Sequence, residues 1–189
     1  FAREATQAEL VPKGISMRIG GETEDVDQSF RDMFRALGIA MVLVFGVLVL
    51  QFNSFKQAFI VLTTVPLSLI GVLLGLFITG EYLSFPSMLG FIALSGVVVN
   101  NAIILVDVWN KMRREHPEFS LREVVLRGGA MRLRPILLTS VTTVVGIFPL
   151  LFASDLWRPI GAAIIFGLLF ATIITLAVVP VLYLKWCKR

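Results

Sequence analysis

Charge is scarce in this chain, and its distribution is more telling than its amount. Asp, Glu, Lys and Arg make up 16% of the 189 residues, and hydrophobic residues 57%. Soluble domains run near one quarter charged and one half apolar. A lipid bilayer is therefore the expected solvent, in keeping with a mean hydropathy of +0.86. There is one cysteine, Cys187, and one histidine, His116. A lone cysteine excludes an internal disulfide, and zinc-ligand spacing is absent, so neither metal nor cofactor is expected. Cys187 reads as a tail residue, and His116, beside Pro117, as a solvated loop residue.

No Asp, Glu, Lys, Arg or His stands in the middle of any long apolar run. A self-contained proton pump would need a titratable group there. The paired Asp or Ser/His of an intramembrane protease are missing too. The glycines lie in apolar runs, not in a strand–loop–helix phosphate cradle. Enzyme function is not expected. The formal net charge of +4 does not suggest nucleic acid, because the basic residues cap apolar runs instead of lining one polar face.

Five apolar runs are present, at about 31–50, 57–79, 86–109, 134–153 and 158–184. Each is long enough for the ~20 residues of a bilayer helix. Residues 1–30 are a different material: polar, with Pro12, Gly14, Gly20 and Gly21, and closing on Glu22, Glu24, Asp25 and Asp27. Within them Ile15, Met17 and Ile19 alternate with Ser16 and Arg18, the pattern of a short strand. A strand alone is not stable, so it is expected to belong to a larger soluble domain. Together with Phe at position 1, it makes the chain read as a piece of something longer.

The second run contains Pro66, and also Gly71 and Gly75 at the GxxxG spacing that permits close helix approach. The long connection 110–133 carries Lys111, Arg113, Arg114, Arg122, Arg127 and Arg132. It reads as an amphipathic helix over about 118–129, with Leu121, Val124 and Val125 on one side, stopped by Gly128 and Gly129. This loop and the tail (Lys185, Lys188, Arg189) are basic, whereas loops 80–85 and 153–157 hold only Glu81 and Asp155 as charges. The positive-inside rule then makes the loop and the C-terminus cytoplasmic. With five spans the N-terminal strand is outside, and Trp157 and Trp186 bracket the last span as interfacial anchors.

Polar groups at bilayer depth are candidates for function, with helix packing as the competing account. Asn100 and Asn101 are adjacent in the third run, so they point ~100° apart on a helix and at least one faces other helices. As interhelical hydrogen-bond glue each contributes about 0.6–2 kcal/mol. The sharper reading is that Asn100 faces a titrating carboxylate on another helix. Spacing alone favours glue. Asp107, seven residues on, reads as an interfacial charge within i+4 reach of Lys111. In the fourth run Pro135 suits a helix start. Thr139, Thr142 and Thr143 form one stripe, either bonding back to their own helix or facing the Asn pair. Gly146 and Pro149 would bend the outer half.

VVNNAIILVD at residues 98–107, RLRPILLTS at 132–140 and LWRP at 156–159 together resemble the resistance–nodulation–division (RND) transporters, in particular the drug and amphiphile branch. The resemblance covers essentially the whole chain, in order. It implies an all-α integral membrane fold: the last five helices of a second-half repeat that lacks its first helix, preceded by a β-strand remnant of a periplasmic porter domain. Residues 1–30 would end that domain, and 31–189 would be the membrane domain. First halves of such pumps carry an acidic pair where this chain has Asn100–Asn101, so the proton-binding aspartates would sit on the opposing repeat. The position of Asn100 is a lysine in the well-known drug pumps, so a Lys–carboxylate switch does not carry over. Asn101 matches the family's Asn, Thr139 the relay threonine, and Arg132 the arginine at the cytoplasmic entrance of the proton path.

The function implied is proton-motive-force-driven efflux of hydrophobic or amphiphilic compounds. The setting implied is the bacterial inner membrane, as a homotrimer with a periplasmic adaptor and an outer-membrane channel. Partners would be membrane lipid and the first-half repeat of the same polypeptide, with no nucleic acid. The alternative is a non-transporting membrane scaffold, or a lipid- or partner-sensing helical module.

Overall fold

A computed structural model describes residues 22–187, and their side chains from Val26 onward. Helix α1 runs Glu22–Phe52, α2 Phe55–Leu62, α3 Thr64–Thr79, α4 Phe85–Glu115 and α5 Leu121–Ile147; a 3-10 turn over Phe148–Phe152 precedes α6, Arg158–Trp186. Five spans, Val26–Phe52, Phe55–Thr79, Phe85–Glu115, Leu121–Phe152 and Arg158–Trp186, are long and apolar enough to cross a membrane. No strand occurs among the described residues. The strand expected over residues 15–19 lies outside them and gains no support.

Helix α1 starts earlier than the apolar pattern predicts. Its first turns run through the acidic stretch that begins at Glu22, which no apolar pattern marks. The second span is two helices in one line. Pro66 has no N–H for the Leu62 carbonyl, and its ring crowds that oxygen, so α2 ends at Leu62. Thr63 and Thr64 hydroxyls donate to the Phe59 and Val61 carbonyls at 2.8 and 2.6 Å across the break. Gly80, at φ +72°, closes α3 in the left-handed region with a bond from Glu81 N–H to Leu76 O at 2.9 Å.

The separate amphipathic helix over 118–129 is not a unit of its own. A reciprocal Ser120–Glu123 capping box starts α5, which continues through Gly128, Gly129 and Pro135 to Ile147. Gly128 serves contact and not termination: a Cβ there would stand 2.6 Å from Trp109 Cδ1. Pro135 lies inside the helix, not at its start. The outer half changes character at Phe148, where Pro149 lacks the N–H that would continue the α-ladder.

Helix α6 is the hub, touching α2, α3, α4, α5 and the 3-10 turn, whereas α1 touches only α2 and α4. Gly71 and Gly75 are why α3 lies so near: a Cβ on either would collide with Phe170 or Phe166 of α6. Burial divides the spans. Of the most apolar stretch of each, 11% is buried in the first and fourth, against 44–50% in the other three. Helices α1 and α5 therefore present apolar faces outward, among them Val42, Val47, Leu138 and Val145. One end of the bundle gathers the α1–α2 turn, the C-termini of α4 and α6 and the start of α5. The opposite end is tied by an ion pair from Arg158 to Glu81, at 3.1 Å.

Candidate proton-relay site

Asn100 and Asn101 lie at mid-length of α4, held there by its buried face of Leu94, Val98, Ala102 and Leu105. Their directions differ as the helix geometry requires. Asn100 is exposed on the chain's surface, at the wall of a groove of about 370 Å³ between α4 and α1 that Val44 and Leu48 also line. Asn101 is turned inward and only 8% exposed. Neither side-chain amide has a hydrogen bond to any described residue. Interhelical hydrogen bonds among the described residues therefore do not account for them. An amide at this depth left without a partner carries a cost of a few kcal/mol.

Thr139 is on α5, exposed, and its hydroxyl donates to Ile136 O at 2.9 Å. Thr142 likewise donates to Leu138 O at 2.9 Å. Both follow the back-bonding pattern of threonine in membrane helices. Arg132, two turns toward the basic end, is half-buried and has no ion pair among the described residues. No hydrogen bond joins Asn100, Asn101, Thr139 and Arg132 to one another. The α4–α1 groove at Asn100 and the helix carrying Thr139 are separate surfaces, since α5 makes no contact with α1.

The stripe of threonines concealed a different pair. Ser140, one residue from Thr139, is buried and bonds the buried Thr172 of α6 at 2.8 Å, and Thr172 in turn donates to Leu168 O at 2.7 Å. The available signal was Ile136 with Ser140 at i+4, the face by which α5 meets α6. One other expectation changes. Lys111 pairs with Glu115 at 3.8 Å, not with Asp107. Exposed pairs of this kind are worth only tenths of a kcal/mol, so i+4 spacing does not decide between two acids. His116 caps α4 and contacts Glu118 Oε1 at 3.0 Å from Nδ1. No cluster of three or more His, Cys, Asp or Glu able to hold a metal occurs among the described residues.

The chain as a whole has counterparts in known proteins. Residues 2–186 match the AcrB/AcrD/AcrF family. The chain belongs to this family of RND transporters. It is 35% identical over 177 residues to the swarming motility protein SwrC of Bacillus subtilis, covering 91% of this chain and 17% of that protein. It is 34% identical over 187 residues to the cobalt-zinc-cadmium resistance protein CzcA of Cupriavidus metallidurans, covering 96% of this chain and 17% of the relative. The crystal structure of a heavy metal efflux pump superposes with a TM-score of 0.81 at 34% identity, over all of this chain and 19% of that one. The chain thus spans under one fifth of the length of its relatives.

Proposed function

We propose that this chain is the second-half membrane portion of a proton-motive-force-driven efflux transporter, and that it moves solute without covalent chemistry. One observation carries the reading: Asn100, at the middle of an apolar span, is exposed and has no hydrogen-bond partner among the described residues. Polar groups at bilayer depth find partners, so the surface holding Asn100 calls for a polar neighbour from elsewhere. The acidic pair of the first-half repeat has the right chemistry. Proton binding there would exchange a carboxylate acceptor for a carboxylic acid, changing its bonds to Asn100 and to Thr139. Arg132 would stand at the cytoplasmic mouth of the path, and Asn101 would hold the inner side. Midplane sites between repeats are the common transporter arrangement. The resulting helix shift would pass along α1 to the domain before it.

In this reading the protein lies in the inner membrane as a homotrimer, with adaptor and outer-membrane channel. The basic loop and C-terminus are cytoplasmic and the N-terminal end periplasmic. The cargo is hydrophobic or amphiphilic compounds. A second cargo, divalent metal cations, is favoured by the 34% identity to CzcA.

Asn100→Ala and Thr139→Ala in the whole protein, assayed for proton-coupled export at matched membrane levels, test the relay. Loss of coupling is expected; unchanged export in both variants would refute it. Parallel arms with an amphiphilic dye and with zinc or cobalt separate the cargoes. Failure of the parent protein in every arm would return the question to the scaffold reading.

A further inference from the structure

A cavity of about 880 Å³ opens at the basic end of the bundle. The relay reading makes no use of it. Three cations line it: Lys56 in the first turn of α2, and Arg113 and Arg114 in the last turn of α4. The one carboxylate among its lining residues is Asp107. Three positive charges against one negative leave an excess of two. None of the four side chains forms an ion pair among the described residues. The nearby acids are engaged elsewhere, Glu115 with Lys111 and Glu118 with His116.

The surroundings favour an anion further. Lys56 stands in the first turn of a helix that has no acidic residue there, so its charge adds to the positive helix end instead of offsetting it. Gln57 and Asn110, both lining the cavity, use one N–H each in binding one another. A primary amide has two, so Asn110 keeps a donor, while the second N–H of Gln57 is turned to Cys187. Cys187, also in the wall, shows how closely the charges converge. Burial pushes its thiol above the usual range, while the Arg113 and Lys56 charges and a hydrogen bond with Gln57 pull it down. Phe52, Phe119 and Trp186 are among the lining residues, and Trp is enriched at headgroup level.

We propose that this cavity binds a phosphate group, supplied by the headgroup of an anionic membrane lipid. Basic pockets between membrane helices on the cytoplasmic side take such headgroups. Only the naming of the leaflet rests on the orientation in the functional reading; the binding chemistry does not.

Native mass spectrometry of the whole purified protein, titrated with cardiolipin and separately with phosphatidylcholine, tests the site. Cardiolipin is expected to bind more tightly than phosphatidylcholine. The triple variant Lys56→Gln, Arg113→Gln, Arg114→Gln should weaken cardiolipin roughly tenfold to a hundredfold and leave phosphatidylcholine unchanged. Lys56→Gln alone should show part of the loss, which keeps the test decisive if the triple variant misfolds. Arg35→Gln, an exposed cation more than three turns into α1 and outside the cavity lining, should change nothing. Equal retention of cardiolipin by the parent and by both the single and the triple variants would overturn the proposal, as would equal binding of the two lipids by the parent. A third arm uses inorganic phosphate as competitor. Full occupancy by phosphate with no added affinity from the lipid would keep the phosphate chemistry and overturn the lipid source. Transport is not measured, so this result and failure of the efflux reading are separable.

Discussion

Gln57 and Asn110, 53 residues apart in sequence, clasp each other's side-chain amides in both directions, at 3.0 and 2.6 Å. Tyr183 donates to the same Asn110 oxygen at 2.8 Å, and its ring packs 4.8 Å from that of Trp109. Three helices, α2, α4 and α6, are thereby fixed at the basic end. Asn110→Leu would strand both Gln57 and Tyr183, so it is expected to cost about 1–3 kcal/mol. Tyr183→Phe, which leaves the amide pair intact, should cost about 1 kcal/mol. Gln57→Leu combined with Asn110→Leu should cost less than the sum of the two single changes, since neither amide is then left alone. Equilibrium unfolding in detergent would measure all of them, and strict additivity would contradict a coupled pair.

The contact of α3 with α6 gives a second prediction. Gly71 faces Phe170 and Gly75 faces Phe166, four residues apart on each helix. Gly75→Leu would force backbone separation, not just a rotamer change, and is expected to cost at least 1–3 kcal/mol, the range for overpacked sites. Gly75→Ala should cost less, since only one methyl then meets Phe166. A stability equal to the parent in Gly75→Leu would mean that the helices do not approach as closely as described.

Which parts of this architecture were legible follows from which forces act locally. Apolar runs long enough to span a bilayer are a property of the sequence itself, and all five spans are where the runs lie. Helix ends were less legible. The apolar pattern does not see the acidic turns at Glu22–Asp27, and Gly128 and Gly129 look like a stop until Trp109 is brought against Gly128. The different directions of Asn100 and Asn101 were legible because adjacent residues diverge on any helix. The pairings of Ser140 with Thr172, and of Gln57 with Asn110 and Tyr183, depend on tertiary placement, and no spacing rule within one helix reaches them.

Cys187 gives a chemical readout of the basic end. Burial raises its thiol above the ordinary value, and the charges of Arg113 and Lys56 oppose that rise. The thiolate is the reactive form. Alkylation by iodoacetamide at pH 7 should therefore be slower than for a free thiol, and the rate should reach half its maximum above the ~8.5 of an unperturbed cysteine. Removing an opposing charge, as in Arg113→Gln, should move the midpoint higher still. A midpoint at or below the free value, measured on a variant with Cys187 as sole cysteine, would contradict the burial.

Thr139 and Ser140 are neighbours in sequence with opposite surroundings, so effects on transport and on stability can be read apart at this step of α5. Thr139 is exposed and bonds its own helix, whereas Ser140 is buried and bonds Thr172 across to α6. Thr139→Val keeps the shape and removes only a local bond, so stability should change by less than about 0.5 kcal/mol, as for ordinary surface changes. Ser140→Ala takes a partner from Thr172. Thr172 still donates to Leu168 O at 2.7 Å, which limits the expected loss to about 0.6–1.7 kcal/mol, the range for interhelical hydrogen bonds in membranes. Export should respond in the reverse order: Thr139→Val should lower proton-coupled transport at unchanged stability, and Ser140→Ala should lower stability with transport per folded molecule preserved. Unfolding and vesicle transport measured on the same preparations would decide. A stability loss at Thr139 equal to that at Ser140 would make it a packing residue and remove it from the relay.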